Sequence, residues 1–188
     1  MARVNAKESL AKHARGWWVS GLMFMGLCSG IVIAQERPAV PESINPPENQ
    51  RVVLRGHASG DQIYVCQATA GDGSQFAWGL SGPEAKLTDD AGKEIATHFA
   101  GPTWQSTDGS QVKGKMVNQS IPDPGSIPWL LLGAVDHNGT GVMSNVSAIQ
   151  RLNTKGGKAP TTGCDAQHQG QKTRVSYTAD YYFYSQVK

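Results

Sequence analysis

Turn residues recur along this chain from Arg51 onward, and they limit its fold more than any other feature. Asp72-Gly73, Asp90-Ala91-Gly92, Asp108-Gly109, Asn138-Gly139 and Gly156-Gly157 are combinations that tight hairpins use, because glycine and asparagine tolerate positive φ. Between them lie short apolar or alternating runs with little room for a helix. The pattern predicts strands at 51–55, 62–69, 75–80, 85–88, 93–100, 103–106, 111–118, 128–136, 142–152 and 173–185. About ten short strands with long loops make an all-β fold, an antiparallel β-sandwich or barrel. With 39% hydrophobic residues, such a domain can fill a core.

Two of these runs carry the clearest patterns. In 173–185, Val175, Tyr177, Ala179, Tyr181 and Phe183 share one face while Arg174, Ser176, Thr178, Asp180 and Tyr182 take the other, the period of a half-buried strand. Trp129 to Val135 is apolar on both faces, with Pro128 before it and Gly133 within it. It reads as a central strand covered on both sides rather than a helix. In 111–118, Val112, Gly114 and Met116 face inward against Gln111, Lys113 and Lys115.

The chain divides into three parts. Residues 1–34 read as an export signal peptide: Lys7, Lys12 and Arg15 form a positive head, Trp17 to Ile33 are uncharged, and small or modest side chains lead to Ala34. Retention as an anchor is the competing reading, since the apolar run is at the lower limit for spanning a bilayer. Lipid attachment at Cys28 is disfavoured by the bulky Leu27 before it. Residues 35–50, with Pro38, Pro41, Pro46 and Pro47, read as a proline-rich extended lead-in, because proline lacks an amide donor and restricts its predecessor. Residues 51–188 read as a single β domain.

Removing the leader takes away four of the 17 basic and one of the 15 acidic residues, leaving a net charge of −1. A chain of that charge lacks the basic patch that nucleic acid or anionic lipid requires, so neither nucleic acid nor, once the leader is cleaved, a membrane is an expected partner. Two cysteines remain, Cys66 and Cys164. In a chain bound for the periplasm or the extracellular space, a disulfide is the plain reading. The chain-entropy model gives such a long loop at most about 4 to 5 kcal/mol of stabilisation.

The motifs of common enzymes are absent: no GxSxG elbow, no HExxH, no P-loop and no GxGxxG. Asp136 to Gly141 lacks the further acidic ligands of a calcium loop and reads as a hairpin tip. His57, His98, His137 and His168 show no i,i+2 or i,i+4 spacing, so no metal site and no cofactor is expected. One bend remains as a candidate site. His98-Phe-Ala-Gly-Pro-Thr-Trp104, followed by Asp108 and Ser110, places an imidazole, an indole and a carboxylate around a glycine-proline turn. With Tyr182 and Tyr184 as neighbouring aromatics, His98, Trp104 and Asp108 suggest a noncatalytic module binding a small molecule, a glycan or a surface protein. The alternative is an extracytoplasmic hydrolase or metal-dependent enzyme using His98 and Asp108. The reading these residues favour for the bend itself is a purely structural one, with Trp104 in the core and Asp108 making the turn.

The residues also carry a resemblance. Gln62-Ile-Tyr-Val-Cys66, His98 to Trp104, Asp108-Gly-Ser110, Ile127-Pro-Trp-Leu-Leu-Leu132, Ile149-Gln-Arg151, Gly156 to Pro160 with Cys164, and Tyr177 to Tyr184, in this order, resemble the domain of unknown function 3455 family of small, often exported bacterial and fungal proteins. The resemblance implies no activity, and it supports pairing Cys66 with Cys164.

Overall fold

A computed structural model describes residues 36–187, apart from the side chain of Asp72. The proposed leader, Cys28 and the cleavage point before Gln35 lie outside the described residues. Eight strands follow in order: β1 (Gln50–Thr69), β2 (Asp72–Thr88), β3 (Glu94–Phe99), β4 (Thr103–Ser106), β5 (Gln111–Ser120), β6 (Trp129–Asn138), β7 (Val146–Gly156) and β8 (Lys172–Gln186). Each pairs antiparallel with the next, and β8 returns to pair with β1, so the meander closes into a barrel. Closure removes the sheet edges that a sandwich would leave. The helical content among the described residues is three short 3-10 turns, Glu42–Ile44, Val142–Asn145 and Ala166–His168. None of these is long and apolar enough to cross a membrane.

The strands are fewer and longer than the turn residues suggest. Stretches 51–55 and 62–69 are one strand, β1, and 75–80 and 85–88 are one strand, β2. The glycines between them are close-approach points rather than turns. A Cβ at Gly60 would overlap the Glu84 carbonyl, and one at Gly82 would lie 2.7 Å from Ala100 Cβ. Register shifts by one residue between Ile63 and Tyr64, opposite Gly82 and Leu80, a bulge that bends the long hairpin around the barrel. The hairpin turns at Ala70-Gly71, with Gly71 at φ 94°. Asp72-Gly73 therefore opens β2 instead of making the turn. The glycines at 92, 109, 139, 156 and 157 do sit at positive φ.

The barrel interior is filled by the inward face of β8 (Tyr177, Ala179, Tyr181, Phe183) with Leu87, Trp104, Val112, Leu132, Ile149 and Met143. A second cluster lies on the outside, where Ile44 of the lead-in covers Val52, Leu131, Leu152, Tyr182 and Tyr184. The Gln150 amide locks it, donating to Ile44 O at 2.7 Å and accepting from Tyr184 Oη at 2.5 Å. These two clusters explain the doubly apolar β6: Leu132 points in, and Leu131 points out under Ile44. The double cover ends before Val135, which is 57% exposed. On β5, Val112 and Gly114 face inward as expected, but Met116 is 55% exposed, because two register shifts carry the end of the strand to the barrel mouth.

Cys66 and Cys164 form a disulfide across 98 residues. It ties the long β7–β8 connection to β1, beside main-chain hydrogen bonds from Cys66 N to Gln171 O and from Gly170 N to Cys66 O.

Candidate functional site

One end of the barrel opens into a cavity of about 430 Å³. Its base is built by the cross-strand pair His98 and Trp104 at the ends of β3 and β4. Their rings stack with centroids 4.2 Å apart and planes 3° from parallel, and the Tyr181 ring meets the imidazole edge-on at 5.2 Å. The tight Gly101-Pro102 turn makes this pairing possible, with Gly101 at φ 128°. Gly114 makes room for the indole, since a Cβ there would lie 3.1 Å from Trp104 Cζ3.

His98 is only 3% exposed. Its Nδ1–H donates to Thr103 O at 2.8 Å, which leaves Nε2 as an unprotonated acceptor. Burial pushes its pKa down to about 3, assisted by the Arg151 charge and opposed by the Thr103 hydrogen bond. The imidazole is therefore neutral at ordinary pH. Beside it the base carries Gln62, Tyr181 and Arg151, below apolar walls that include Leu80, Pro83, Pro102, Met116 and Leu130. Gln62 Nε2 and Trp104 Nε1 are buried without a hydrogen-bond partner, while the Tyr181 hydroxyl lies beside the Tyr177 hydroxyl and the Arg151 guanidinium. Native interiors rarely leave such groups unmatched. Arg151 spends Nε and Nη2 on the Pro128 carbonyl, at 3.1 and 2.9 Å.

Of the residues grouped at the sequence level, the structure brings together His98 and Trp104 and separates the others. Asp108 lies in the β4–β5 turn, at the opposite end of β4. Its carboxylate accepts from Ser110 N, Ser110 Oγ and Val142 N, and these bonds, led by the Ser110 hydroxyl, lower its pKa to about 2. The side-chain partners of His98 are Thr103, Trp104 and Tyr181, so the imidazole and the Asp108 carboxylate form no acid-base pair. Tyr182 and Tyr184 are on the outer face of β8, with Arg55 and Arg37 over their rings. The pleat explains this: residues 182 and 184 are out of phase with Tyr181 and Phe183. Among the described residues no three His, Cys, Asp or Glu side chains are grouped to hold a metal ion.

Gln62, Arg151 and Tyr181 escaped the sequence grouping, yet each has a signal in it. Arg151 is two residues from the inward Ile149, and Gln62 is in phase with the inward Ala58. A charge or an amide in phase with a core face marks a polar group inside the barrel. A second polar cluster also went unread. On the outer surface, His57 Nδ1 meets Asp180 Oδ1 at 2.6 Å and its Nε2 meets Asp90 Oδ1 at 2.8 Å. The bonds to Asp90 and then Asp180 raise the His57 pKa above its ordinary value.

A family model described as "Protein of unknown function (DUF3455)" matches residues 46–185, and the chain belongs to that family. No curated protein and no solved structure matches it.

Proposed function

We propose that this family member is an exported, noncatalytic binding protein that takes a small ligand into the open end of its barrel. One observation carries the reading: a cavity with apolar walls ends on a base where buried polar atoms of Gln62 and Trp104 have no partner. A ligand polar group in that base would supply the missing bonds, while the walls would take its apolar part, the usual division of labour in small-molecule pockets. A concave mouth also suits a small molecule better than a flat protein surface or an extended glycan. Export is supported by the leader-like first 34 residues and by the disulfide. His98, neutral and hydrogen-bonded to a main-chain carbonyl, acts here as a rigid acceptor and ring wall rather than as a proton carrier.

The test is a thermal-stabilisation screen of small amphiphilic compounds. A true ligand at a hundred times its Kd adds about 2.7 kcal/mol of stability. That gain should vanish in Met116→Glu, whose position is exposed and whose free protein should melt as the parent does. A screen in which every stabilising compound acts equally on Met116→Glu would reject the pocket.

A further inference from the structure

The cavity contains one cation and no anion. Among its lining residues Arg151 is the single ionised side chain, since His98 is held neutral. Among the described residues, Arg151 forms no ion pair. Its side-chain bonds to Pro128 O satisfy one edge of the guanidinium without neutralising it. Arg151 is half-buried at the open mouth, and an arginine keeps its charge there, so an anion entering the cavity would meet a cation with no competing carboxylate. Within the base its charge acts on His98 and Tyr181, and beyond the cavity on Tyr64 and Tyr177.

The neutral groups of the base point the same way. Gln62, 2% exposed, has an unpartnered Nε2, and the Trp104 indole Nε1 is unpartnered as well. Acceptors are present too, in His98 Nε2 and the Gln62 carbonyl, but a charge-assisted bond is about twice as strong as a neutral one. The cation therefore decides the sign of the head group. A polyphosphate would want several cations, and a sugar would want polar walls. Above the base, Leu80 and Met116 are 61% and 55% exposed, apolar surface on the cavity wall that an aliphatic body would cover.

Building on the reading of this mouth as a ligand pocket, we infer that its ligand is an amphiphile with one anionic head, a carboxylate or its equivalent, seated at Arg151, and an apolar body lying along Leu80, Met116 and Leu130.

Calorimetric titration of the purified protein with decanoate, decan-1-ol and decylammonium tests this, because the three share a body and differ in head charge. Decanoate should bind about tenfold tighter than the alcohol, a ratio equivalent to about 1.4 kcal/mol. The ammonium should bind weakest. Arg151→Gln should erase the preference between acid and alcohol while leaving the alcohol's affinity within about twofold. If Arg151→Gln does not fold, Leu80→Glu serves in its place: on an exposed position it should weaken decanoate more than the alcohol. Equal binding of acid and alcohol, or tighter binding of the ammonium, overturns the anionic class and leaves the pocket standing. Failure of all three, alongside Met116-dependent stabilisation by some other compound, also overturns the class alone. Failure of all three with no Met116-dependent compound of any kind overturns both.

Discussion

The two ends of the barrel treat polar groups in opposite ways. At the end closed by Val142–Asn145, polar atoms are matched. Asp108 accepts from Val142 N at 2.8 Å and from Ser110, Ser110 Oγ accepts from Met143 N at 3.1 Å, and Ser144 Oγ accepts from Gly141 N at 2.8 Å. Met143 is fully buried beneath them. At the open end, Gln62 and Trp104 keep unpaired polar atoms near an arginine without an acid. Folding has a reason to satisfy a polar group that only seals a barrel, because an unmatched buried donor costs about 1 to 3 kcal/mol. Groups left unmatched at the other end are tolerated where something outside the chain is to complete them.

The largest effect that bears on this contrast comes from Trp104, which belongs both to the open end and to the core. It is 1% exposed and touches the rings of His98, Tyr181 and Phe183. Trp104→Ala should cost about 3 to 5 kcal/mol in urea denaturation, as truncations in packed interiors do. A loss below about 1 kcal/mol would mean that the floor of the cavity is not continuous with the core.

Acid should open the two ends in separate windows. His98 has a folded pKa of about 3 against an ordinary 6.5, so between those values the unfolded chain binds a proton that the folded chain does not. Its contribution is present above pH 6.5 and is lost as pH falls toward 3, at up to about 1.4 kcal/mol per pH unit. Asp108, with a folded pKa of about 2 against 3.8, contributes above 3.8 and is lost only as pH falls toward 2. His57 has the opposite sign. Its pKa is raised, so its contribution is present below 6.5 and fades as pH rises through its folded value. Denaturation against pH in a His57→Gln background therefore isolates the upper window of the open end, while Asp61, Asp123 and Asp165, also held below the usual carboxylate range, share the lower one with Asp108. His98→Phe should remove the upper window and keep the lower one; an unchanged profile would show that His98 titrates as freely when folded as when unfolded.

The smallest effects compare one residue from each end. Asp108→Asn, which weakens the staple to Val142, should lower the melting temperature. Gln62→Leu removes an amide that has no partner for its Nε2, so it should leave stability within about 1 kcal/mol of the parent or raise it. If Gln62→Leu proves the more damaging of the two, the open end is as fully satisfied as the closed one and the contrast fails.

The candidate site was legible in part. The bend holding His98 and Trp104 stands out because an imidazole and an indole flank a glycine-proline turn, and the structure stacks the two. Asp108 looked equally close in sequence, but β4 separates the two turns, so that the residues at its ends serve opposite ends of the barrel. Gln62, on β1, and Arg151, on β7, come from distant strands, and no local spacing joins them to His98. The strand count differs from the turn pattern for a related reason. Gly60 and Gly82 look like turn glycines, yet they are required by main-chain approach across the β1–β2 pair and against Ala100.

The all-β class, most of the hairpin turns and the period of β8 can be read from neighbouring residues, and the two cysteines beyond the proposed leader, Cys66 and Cys164, give the disulfide partners. Those properties are local or follow from counting, since turn conformation depends on a few adjacent residues and side-chain alternation on the pleat. Only the folded barrel shows that β8 closes onto β1, that Ile44 covers the outer faces of Leu131 and Tyr184, and that an arginine and an amide from separate strands meet a stacked histidine in one cavity. Each of these depends on pairing between residues far apart in the chain. Alternation says which residues share a face, but only closure says which face is inside and what gathers at its open end.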